Sequence, residues 1–180
     1  MLGARVHLTH AKAASQWVAD VLALLAPGTL VRPLAGSRHA VGRPLAAGRT
    51  YLAVMASWEE VAGGLPPGAE SHVVAVARDL RDAAVSMAMS LHHSHRDEPD
   101  AAWMARARLA RSLPDDAAGI RFAVRTWLPA TAEQQRSWLA AGIPVVRYED
   151  LLDGVDGWRR LVDALALDAG DDQLGAALAA

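Results

Sequence analysis

The sequence predicts a single α/β domain in which a central parallel β-sheet is flanked by helices. Short apolar segments that suit strands alternate along the chain with segments whose apolar residues recur at helical spacing. One strand candidate, His72–Ala77, is a continuous apolar run of the kind that a parallel sheet buries on both faces. The 180 residues contain no internal repeat and no linker, so we expect one domain spanning residues 1–180.

Five strands are predicted from short runs of apolar, often β-branched residues: Arg5–Thr9, Gly28–Leu34, Thr50–Ala56, His72–Ala77 and Ile143–Arg147. Helical spacing predicts the following helices: Trp17–Leu25, Trp58–Gly63, Leu80–Leu91, two or three within Ala101–Ala141, and Trp158–Leu167. We expect breaks near Pro114 and Pro129, and Ser15 has the side chain of a helix N-cap. The stretches Ala35–Gly48 and His92–Asp100 are predicted loops.

Composition excludes several classes of protein. A formal net charge of −2 leaves no cationic surplus of the kind that nucleic-acid-binding proteins carry. The absence of cysteine excludes disulfides and thiolate chemistry. No apolar run approaches the roughly 18 residues of a membrane helix, and charged residues and histidines interrupt the first twenty positions. We therefore expect a cytoplasmic protein that binds neither nucleic acid nor membrane, and the sequence predicts no oligomeric state.

The stretch Arg5–Ala19 has the pattern of a strand, a tight loop and a helix, and its loop contains Lys12. Of the eighteen lysine and arginine residues, only Lys12 is a lysine. Lysine supplies a compact ammonium where arginine supplies a planar fork, and a helix N-terminus adds unpaired N–H groups. This combination favours a phosphate or sulfate site. The alternative is a solvated residue in an arginine-rich chain.

Four polar residues follow predicted strands: Lys12, Ser57, Arg78 and Tyr148. Ligands of parallel sheets bind beyond the carboxyl ends of the strands, so we expect all four at that edge. Ser86 lies eight residues after Arg78 on the next helix. An arginine and a hydroxyl placed in this way can converge on one anion. The alternative is that Arg78 pairs with neighbouring carboxylates.

Three segments, in this order, resemble the sulfotransferases that use 3′-phosphoadenosine 5′-phosphosulfate (PAPS). Lys12-Ala13-Ala14-Ser15-Gln16-Trp17 resembles their loop of lysine, a small residue and Gly-Thr-Thr-Trp. The segment from Arg78 to Ser86 resembles their 3′-phosphate motif and has the same spacing of eight. Arg147-Tyr148-Glu149-Asp150-Leu151-Leu152 is similar to their Tyr-Glu-Asp segment. The resemblance covers most of the chain and depends mainly on the shared order of the motifs.

This resemblance implies the P-loop-like sulfotransferase fold, with PAPS as co-substrate and no metal. The implied reaction transfers a sulfuryl group to a hydroxyl or amine of a small-molecule acceptor. The resemblance assigns cofactor-binding roles to these residues: Lys12, Ala13, Ala14, Ser15, Gln16, Trp17, Arg78, Ser86 and Tyr148. Sulfuryl transfer, like phosphoryl transfer, depends mostly on positioning and on charge stabilisation, which fits these residue types.

The 5′ end of PAPS would lie at the first loop, where the amides of Ala13–Gln16 and the Ser15 hydroxyl would hold the phosphosulfate. Lys12 would neutralise charge on the bridging oxygen as the bond to sulfur breaks. Trp17 would stack near the adenine.

The 3′-phosphate would be bound by Arg78 and Ser86, and Tyr148 would approach the base or the adjoining site.

The chain departs from the family pattern at several points. Ala14 replaces the usual glycine and Gln16 one of the threonines, and alanine allows less backbone freedom than glycine. Many family members carry a catalytic histidine after the strand that corresponds to Thr50–Ala56, but the segment Val54–Glu60 contains none. The late Arg-Lys-Gly segment of the family also has no counterpart in this sequence.

The general base is therefore open between two residues. His39 lies in a Gly-rich loop after a predicted strand, and imidazole titrates near neutral pH. Glu59 lies close to where the family carries its histidine. His10 precedes the Lys12 loop on the strand side and ranks below both. For each of these, a solvated or structural role is the alternative.

The densest set of metal-ligating residues is on the predicted loop His92–Asp100: His92, His93, His95, Asp97 and Glu98. No partner cluster is evident elsewhere in the sequence, so we expect a solvated loop and no metal site.

Other protein classes that share the strand–loop–helix pattern fit this sequence less well. The chain has neither G-x-x-x-x-G-K-[ST], which excludes a P-loop NTPase, nor G-x-G-x-x-G after a strand, which excludes a Rossmann oxidoreductase. A sulfotransferase-like protein that binds a nucleotide or a partner without catalysis stays open. The missing histidine and the changes at Ala14 and Gln16 favour that alternative.

Overall fold

The computed structural model describes residues 2–31, 40–94 and 101–180, without the side chains of residues 94 and 101–103. Within these ranges five strands form one sheet: β1 (Leu2–Thr9), β2 (Leu30–Val31), β3 (Thr50–Val54), β4 (Glu70–Ala77) and β5 (Val145–Arg147). All neighbouring strands run parallel, in the order β2-β3-β1-β4-β5. The predicted α/β fold with a central parallel sheet is confirmed. Part of the predicted strand Gly28–Leu34 lies outside the described residues.

The central position of β1 follows from the order in which the chain builds the sheet. β2 and β3 extend the sheet on one side of β1, and β4 and β5 extend it on the other. Such a reversal of strand order is where ligands bind in open α/β sheets. The loops after β1 and β4 meet at this point.

The helices of the described residues are α1 (Ser15–Leu25), α2 (Trp58–Ala62), α3 (Leu80–Met89), α4 (Ala101–Arg111), α5 (Asp116–Thr126), α6 (Leu128–Ala140), α7 (Val155–Ala164) and α8 (Asp171–Ala179). A π-helical turn, Ser90–Ser94, continues α3, and a 3-10 turn, Asp150–Asp153, precedes α7. None of the helices in the described ranges has the length and the apolar character needed to span a membrane.

Several local predictions need correction. Ser15 is the first residue of α1 and not its N-cap, because Ala14 occupies the cap position with a left-handed backbone. By contrast, the predicted breaks near Pro114 and Pro129 are confirmed: Pro114 lies between α4 and α5, and Pro129 lies in the first turn of α6, just after α5 ends, where its missing N–H has no intrahelical partner to lose. The start of the predicted loop His92–Asp100 is helical, in the π turn. Helix α8 was not predicted, since its mostly small residues give a weak periodic signal.

Two buried tryptophans anchor the helices that cover the two faces of the sheet. Trp158 of α7 packs with residues of α1 and α8, and its Nε1 donates to the backbone oxygen of Leu151 at 3.1 Å. Trp138 of α6 packs on the opposite face, and its Nε1 donates to the backbone oxygen of Ala56 at 2.9 Å. A third cluster joins α3, α4 and α5. Because both indole N–H groups find acceptors, burial of these large rings leaves no unpaired donor.

The ladder between β1 and β3 contains an irregularity beside the Lys12 loop. Val6 pairs with Tyr51, but Leu8 pairs with Val54, so that β3 carries one extra residue. Ala53 has a φ of 53°, and its N–H donates to Nδ1 of His7 at 3.3 Å. The imidazole of His7 thus replaces a backbone acceptor that the bulge removes from the ladder.

Candidate functional site

The candidate site lies at the carboxyl edge of the sheet, where the loops after β1 and β4 come together. Lys12 follows β1, Arg78 directly follows β4, and Tyr148 directly follows β5. Since β1, β4 and β5 are neighbours, the three residues that the sequence analysis placed at this edge share one region. The fourth, Ser57, sits at the start of α2, where its N–H donates to Oε2 of Glu60 at 2.9 Å in a capping box.

The loop between β1 and α1 has the backbone shape of an anion cradle. Lys12 has a φ of 68° and Ala14 a φ of 59°, whereas Ala13 between them is not left-handed. Such alternation turns successive N–H groups toward one concave side and forms a nest for an anion. As at any helix start, the N–H groups of the first turn of α1 have no intrahelical partner, and no described side chain caps them. The N–H of Ala13 instead donates to the backbone oxygen of His10 at 3.3 Å.

The left-handed backbone at Ala14 explains why glycine would suit this position, as in the family pattern. Left-handed backbone costs an L-residue about 1–2 kcal/mol, and glycine avoids this cost. The chain therefore keeps the cradle shape at Ala14 with a backbone strain that glycine would not have.

Arg78 connects the two loops. Its Nη1 donates to the backbone oxygen of Lys12 at 3.2 Å, and its guanidinium carbon lies 4.5 Å from the centroid of the Tyr148 ring. This is the geometry of a cation–π contact. Its Nε is buried and has no hydrogen-bond partner among the described residues. A buried guanidinium N–H without an acceptor is costly, and an anionic ligand is the kind of group that relieves this cost.

The electrostatics of the site also fit an anion. Burial, followed by the nearby charge of Arg78, lowers the pKa of Lys12 below its ordinary value. No ion pair in the described parts of the chain includes Lys12 or Arg78. Two nearby cations without an ion-pair partner among the described residues favour a bound phosphate or sulfate, which would offset their charge.

His10 and Gln135 hold the backbone of Arg78 in place. Nε2 of His10 accepts the N–H of Arg78 at 3.1 Å and lies 2.9 Å from Nε2 of Gln135. The same Gln135 nitrogen donates to the backbone oxygen of Arg78 at 3.0 Å. Nδ1 of His10 contacts the backbone oxygen of Ala11 at 2.9 Å. With Nδ1–H donating and Nε2 accepting, the ring is neutral, and burial lowers the pKa of His10.

This network changes the interpretation of His10 and adds a residue that the sequence analysis missed. Both ring nitrogens of His10 are engaged in positioning the backbone, so the ring has no free nitrogen to act as a base. No local motif marks Gln135, and 125 positions separate it from His10. Only the packing of α6 across the sheet edge brings the two together.

Other residues with predicted roles are placed as follows. Ser86 is half-buried on α3, and Gln16 is exposed on the first turn of α1. Trp17 is 37% exposed, and its ring meets the buried ring of Trp158 edge-on, with 5.0 Å between the centroids. His39 lies outside the described residues.

Glu59 lies on α2 and borders a cavity that differs from the candidate anion site. A cavity of 340 Å³ is bordered by α2 and residues 42–44, and its lining includes Glu59, Glu60 and Arg43. None of the residues assigned to PAPS lines it. The cavity is open to solvent and has the size of a small-molecule site.

The histidine-rich segment has a partner that the sequence analysis did not foresee. His92 and His93 approach Asp116, in the first turn of α5, through the π-helical turn. The sequence showed no partner cluster for these histidines, and the fold brings a single carboxylate, Asp116, close to them. The other members of the set, His95, Asp97 and Glu98, lie outside the described residues.

The comparisons with known proteins agree with this architecture. No family model matches the sequence, and no curated protein matches it. Among solved structures, the chain is similar to mouse sulfotransferase SULT7A1 complexed with PAP, with a TM-score of 0.67 and 14% sequence identity. The match covers 97% of this chain and 62% of the mouse protein. The chain thus has the sulfotransferase fold, as the motifs implied.

Proposed function

We propose that this protein is a sulfotransferase that uses PAPS and transfers its sulfuryl group to a hydroxyl or amine of a small-molecule acceptor. One observation carries the proposal: the left-handed cradle at Lys12 and Ala14 is joined to the guanidinium of Arg78, whose buried Nε has no hydrogen-bond partner among the described residues. The likeness to a sulfotransferase that was crystallised with PAP supports the same ligand class.

In this proposal two separate groups of residues bind the two anionic ends of the nucleotide. The N–H groups at the start of α1 and the Ser15 hydroxyl hold the 5′-phosphosulfate, and Arg78 with Ser86 holds the 3′-phosphate. Trp17 and Tyr148 supply aromatic surface near the adenine. PAPS supplies a sulfuryl group on a phosphate leaving group, and Lys12 offsets the negative charge that develops on the bridging oxygen.

The acceptor must lose a proton as its oxygen or nitrogen bonds to sulfur. We keep His39 and Glu59 as the two candidate bases. Glu59 borders the 340 Å³ cavity, which supports an acceptor site beside α2. Once an acceptor is known, Glu59→Gln should lower kcat with little effect on PAP affinity, whereas Glu70→Gln, at the opposite edge of the sheet, should change neither.

A non-catalytic nucleotide-binding protein is the second candidate. The strain at Ala14 favours it, as does the cavity beside Glu59, which no residue assigned to PAPS lines. It predicts nucleotide binding without sulfuryl transfer to any acceptor.

The test is a calorimetric titration of the purified chain with 3′,5′-adenosine bisphosphate (PAP), with AMP as the matched ligand that lacks the 3′-phosphate. Binding in the micromolar range that depends on the 3′-phosphate is expected. Folded protein that binds neither nucleotide would overturn both candidate functions.

Two arginine variants then locate the 3′-phosphate. Arg78→Ala should weaken PAP binding tenfold or more, because hydrogen bonds to charged groups contribute about 1.5–3 kcal/mol, and should change AMP binding much less. Arg81→Ala removes a neighbouring, exposed arginine that pairs with Asp79, and PAP affinity should stay as in the wild type. Equal loss of PAP and AMP affinity in Arg78→Ala would contradict the assignment of the 3′-phosphate.

A further inference from the structure

The π-helical turn after α3 brings two consecutive histidines against the first turn of α5. Nδ1 of His92 lies 3.7 Å from Oδ1 of Asp116, and Nε2 of His93 lies 3.4 Å from the same oxygen. One possible ligand atom from each residue lies within 4.8 Å of the others. We propose that His92, His93 and Asp116 bind a divalent transition-metal ion of the Zn²⁺ type.

The separations suit ligands around an ion better than they suit hydrogen bonds. N–H···O hydrogen bonds usually measure about 2.7–3.2 Å, shorter than both distances to Asp116. Two ligands about 2.0–2.1 Å from a tetrahedral Zn²⁺ lie about 3.3–3.4 Å apart. The distance from His93 has this value, and the distance from His92 exceeds it by a few tenths of an ångström. Both histidine nitrogens thus lie within a few tenths of an ångström of the separation from Asp116 that a shared ion requires, and the ligand atoms of the three residues lie within 4.8 Å of one another.

The π-helical turn explains how adjacent residues can act together. In an α-helix consecutive side chains point about 100° apart, and the wider π turn reduces that angle. The rings of His92 and His93 accordingly lie with 5.8 Å between their centroids. Two imidazoles and a carboxylate form a donor set that Zn²⁺ accepts readily.

The orientation of His92 depends on a glycine of α5. A Cβ at Gly119 would lie 3.0 Å from Nε2 of His92, so a larger residue at this position would have to displace the ring by a few tenths of an ångström. This Nε2 is buried without a described partner, and the other nitrogen, Nδ1, is the one that faces Asp116. His93 and Asp116 are exposed, so an ion can enter from solvent and keep water at its remaining positions.

A bound ion would fasten the end of α3 to the start of α5, two elements that also pack through the Met87 cluster. None of the three ligands belongs to the proposed PAPS site, so this inference is independent of the proposed function. The ion's role here is to hold the two segments together, and no step of the transfer reaction uses it.

The test is a titration of untagged, metal-free protein with Zn²⁺, followed by calorimetry, and with Co²⁺, followed by its visible absorption. Saturation at one ion per chain is expected, with a rise in the unfolding temperature as Zn²⁺ is added. Asp116→Asn and His93→Ala should each weaken binding tenfold or more, since even outer-shell changes at metal sites cost 10–100-fold in affinity.

Asp115→Asn is the matched control. It removes a carboxylate from the same exposed helix end, and asparagine caps a helix as well as aspartate does, so the acceptor for the N–H of Ala118 is retained. Its Zn²⁺ affinity should equal that of the wild type. Absence of binding by the wild type, or unchanged affinity in both Asp116→Asn and His93→Ala, would overturn the proposal.

Discussion

The Nε2 atom of His10 accepts the backbone N–H of Arg78 at 3.1 Å, so that a buried imidazole at the end of β1 holds the first residue after β4. Gln135 completes the arrangement from α6 by donating to the backbone oxygen of Arg78. The side chain of Arg78 reaches Lys12 and Tyr148 from this fixed backbone. The position of Arg78, which is proposed to bind the 3′-phosphate, thus depends on His10 and Gln135. Neither of these two residues needs to contact the nucleotide.

The first prediction concerns Gln135→Leu, which keeps the bulk of the side chain but removes its donors. The free energy of unfolding should fall by about 1 kcal/mol, because the partly buried oxygen of Arg78 loses a hydrogen-bond donor. PAP affinity should fall several-fold as Arg78 loses its fixed position. Urea denaturation and PAP titration measure the two effects. Gln134→Leu, the adjacent residue of α6, is the control; a Gln135→Leu protein with wild-type PAP affinity would refute a positioning role.

The second prediction concerns the left-handed residue Ala14. Ala14→Gly should raise the free energy of unfolding by about 1 kcal/mol, because glycine adopts this conformation without strain, although it adds some entropy to the unfolded chain. Thermal unfolding measures the change. Ala13→Gly is the matched control: Ala13 is buried and not left-handed, so this variant should be less stable than the wild type. A lower free energy of unfolding in Ala14→Gly would contradict the view that the left-handed backbone at Ala14 is strained.

The third prediction concerns pH. Burial lowers the pKa of His7 to about 3. Below pH 6.5 the unfolded chain takes up a proton at this residue, whereas the folded chain does not until about pH 3. Protons therefore favour the unfolded state, and the stability that His7 contributes is full above pH 6.5 and falls toward pH 3, by about 1.4 kcal/mol per pH unit.

The measurement is the free energy of unfolding by urea between pH 4 and pH 7.5. His7→Asn retains an acceptor for Ala53 but does not titrate, so its stability should depend less steeply on pH below 6.5. Burial also lowers the pKa of His10, so this residue should still make the free energy of unfolding depend on pH in the variant. Identical slopes in the two proteins would show that His7 is not the group responsible.

The fourth prediction concerns turnover. Lys12→Ala should lower kcat about 10²-fold, because the loss of one group that stabilises transition-state charge typically has this effect. Lys12→Arg keeps the charge but replaces the compact ammonium with a planar fork, and should recover only part of the rate. Sulfuryl transfer from PAPS to the identified acceptor is the assay. An unchanged kcat in Lys12→Ala would remove Lys12 from the catalytic role.

The fold class was predictable because the signals that determine it are local. The buried run of β4 and the helical spacing of α1 each occur within about ten residues, and alternation of such segments specifies a parallel sheet. The Lys12 loop and Arg78 were also predictable, since residues that follow strands of a parallel sheet share an edge. The sequence by itself therefore determined the α/β architecture and the position of the proposed anion site.

The tertiary structure decided the features that arise between distant residues. It places Gln135 against Arg78 and Asp116 against His93, pairs that no sequence motif links. It also shows that both imidazole nitrogens of His10 are engaged by the backbone, although the sequence left this residue as a candidate base ranked below His39 and Glu59. Hydrogen bonds across a fold depend on how whole helices pack, and packing is a property of many residues together, so a pattern within one segment cannot specify them.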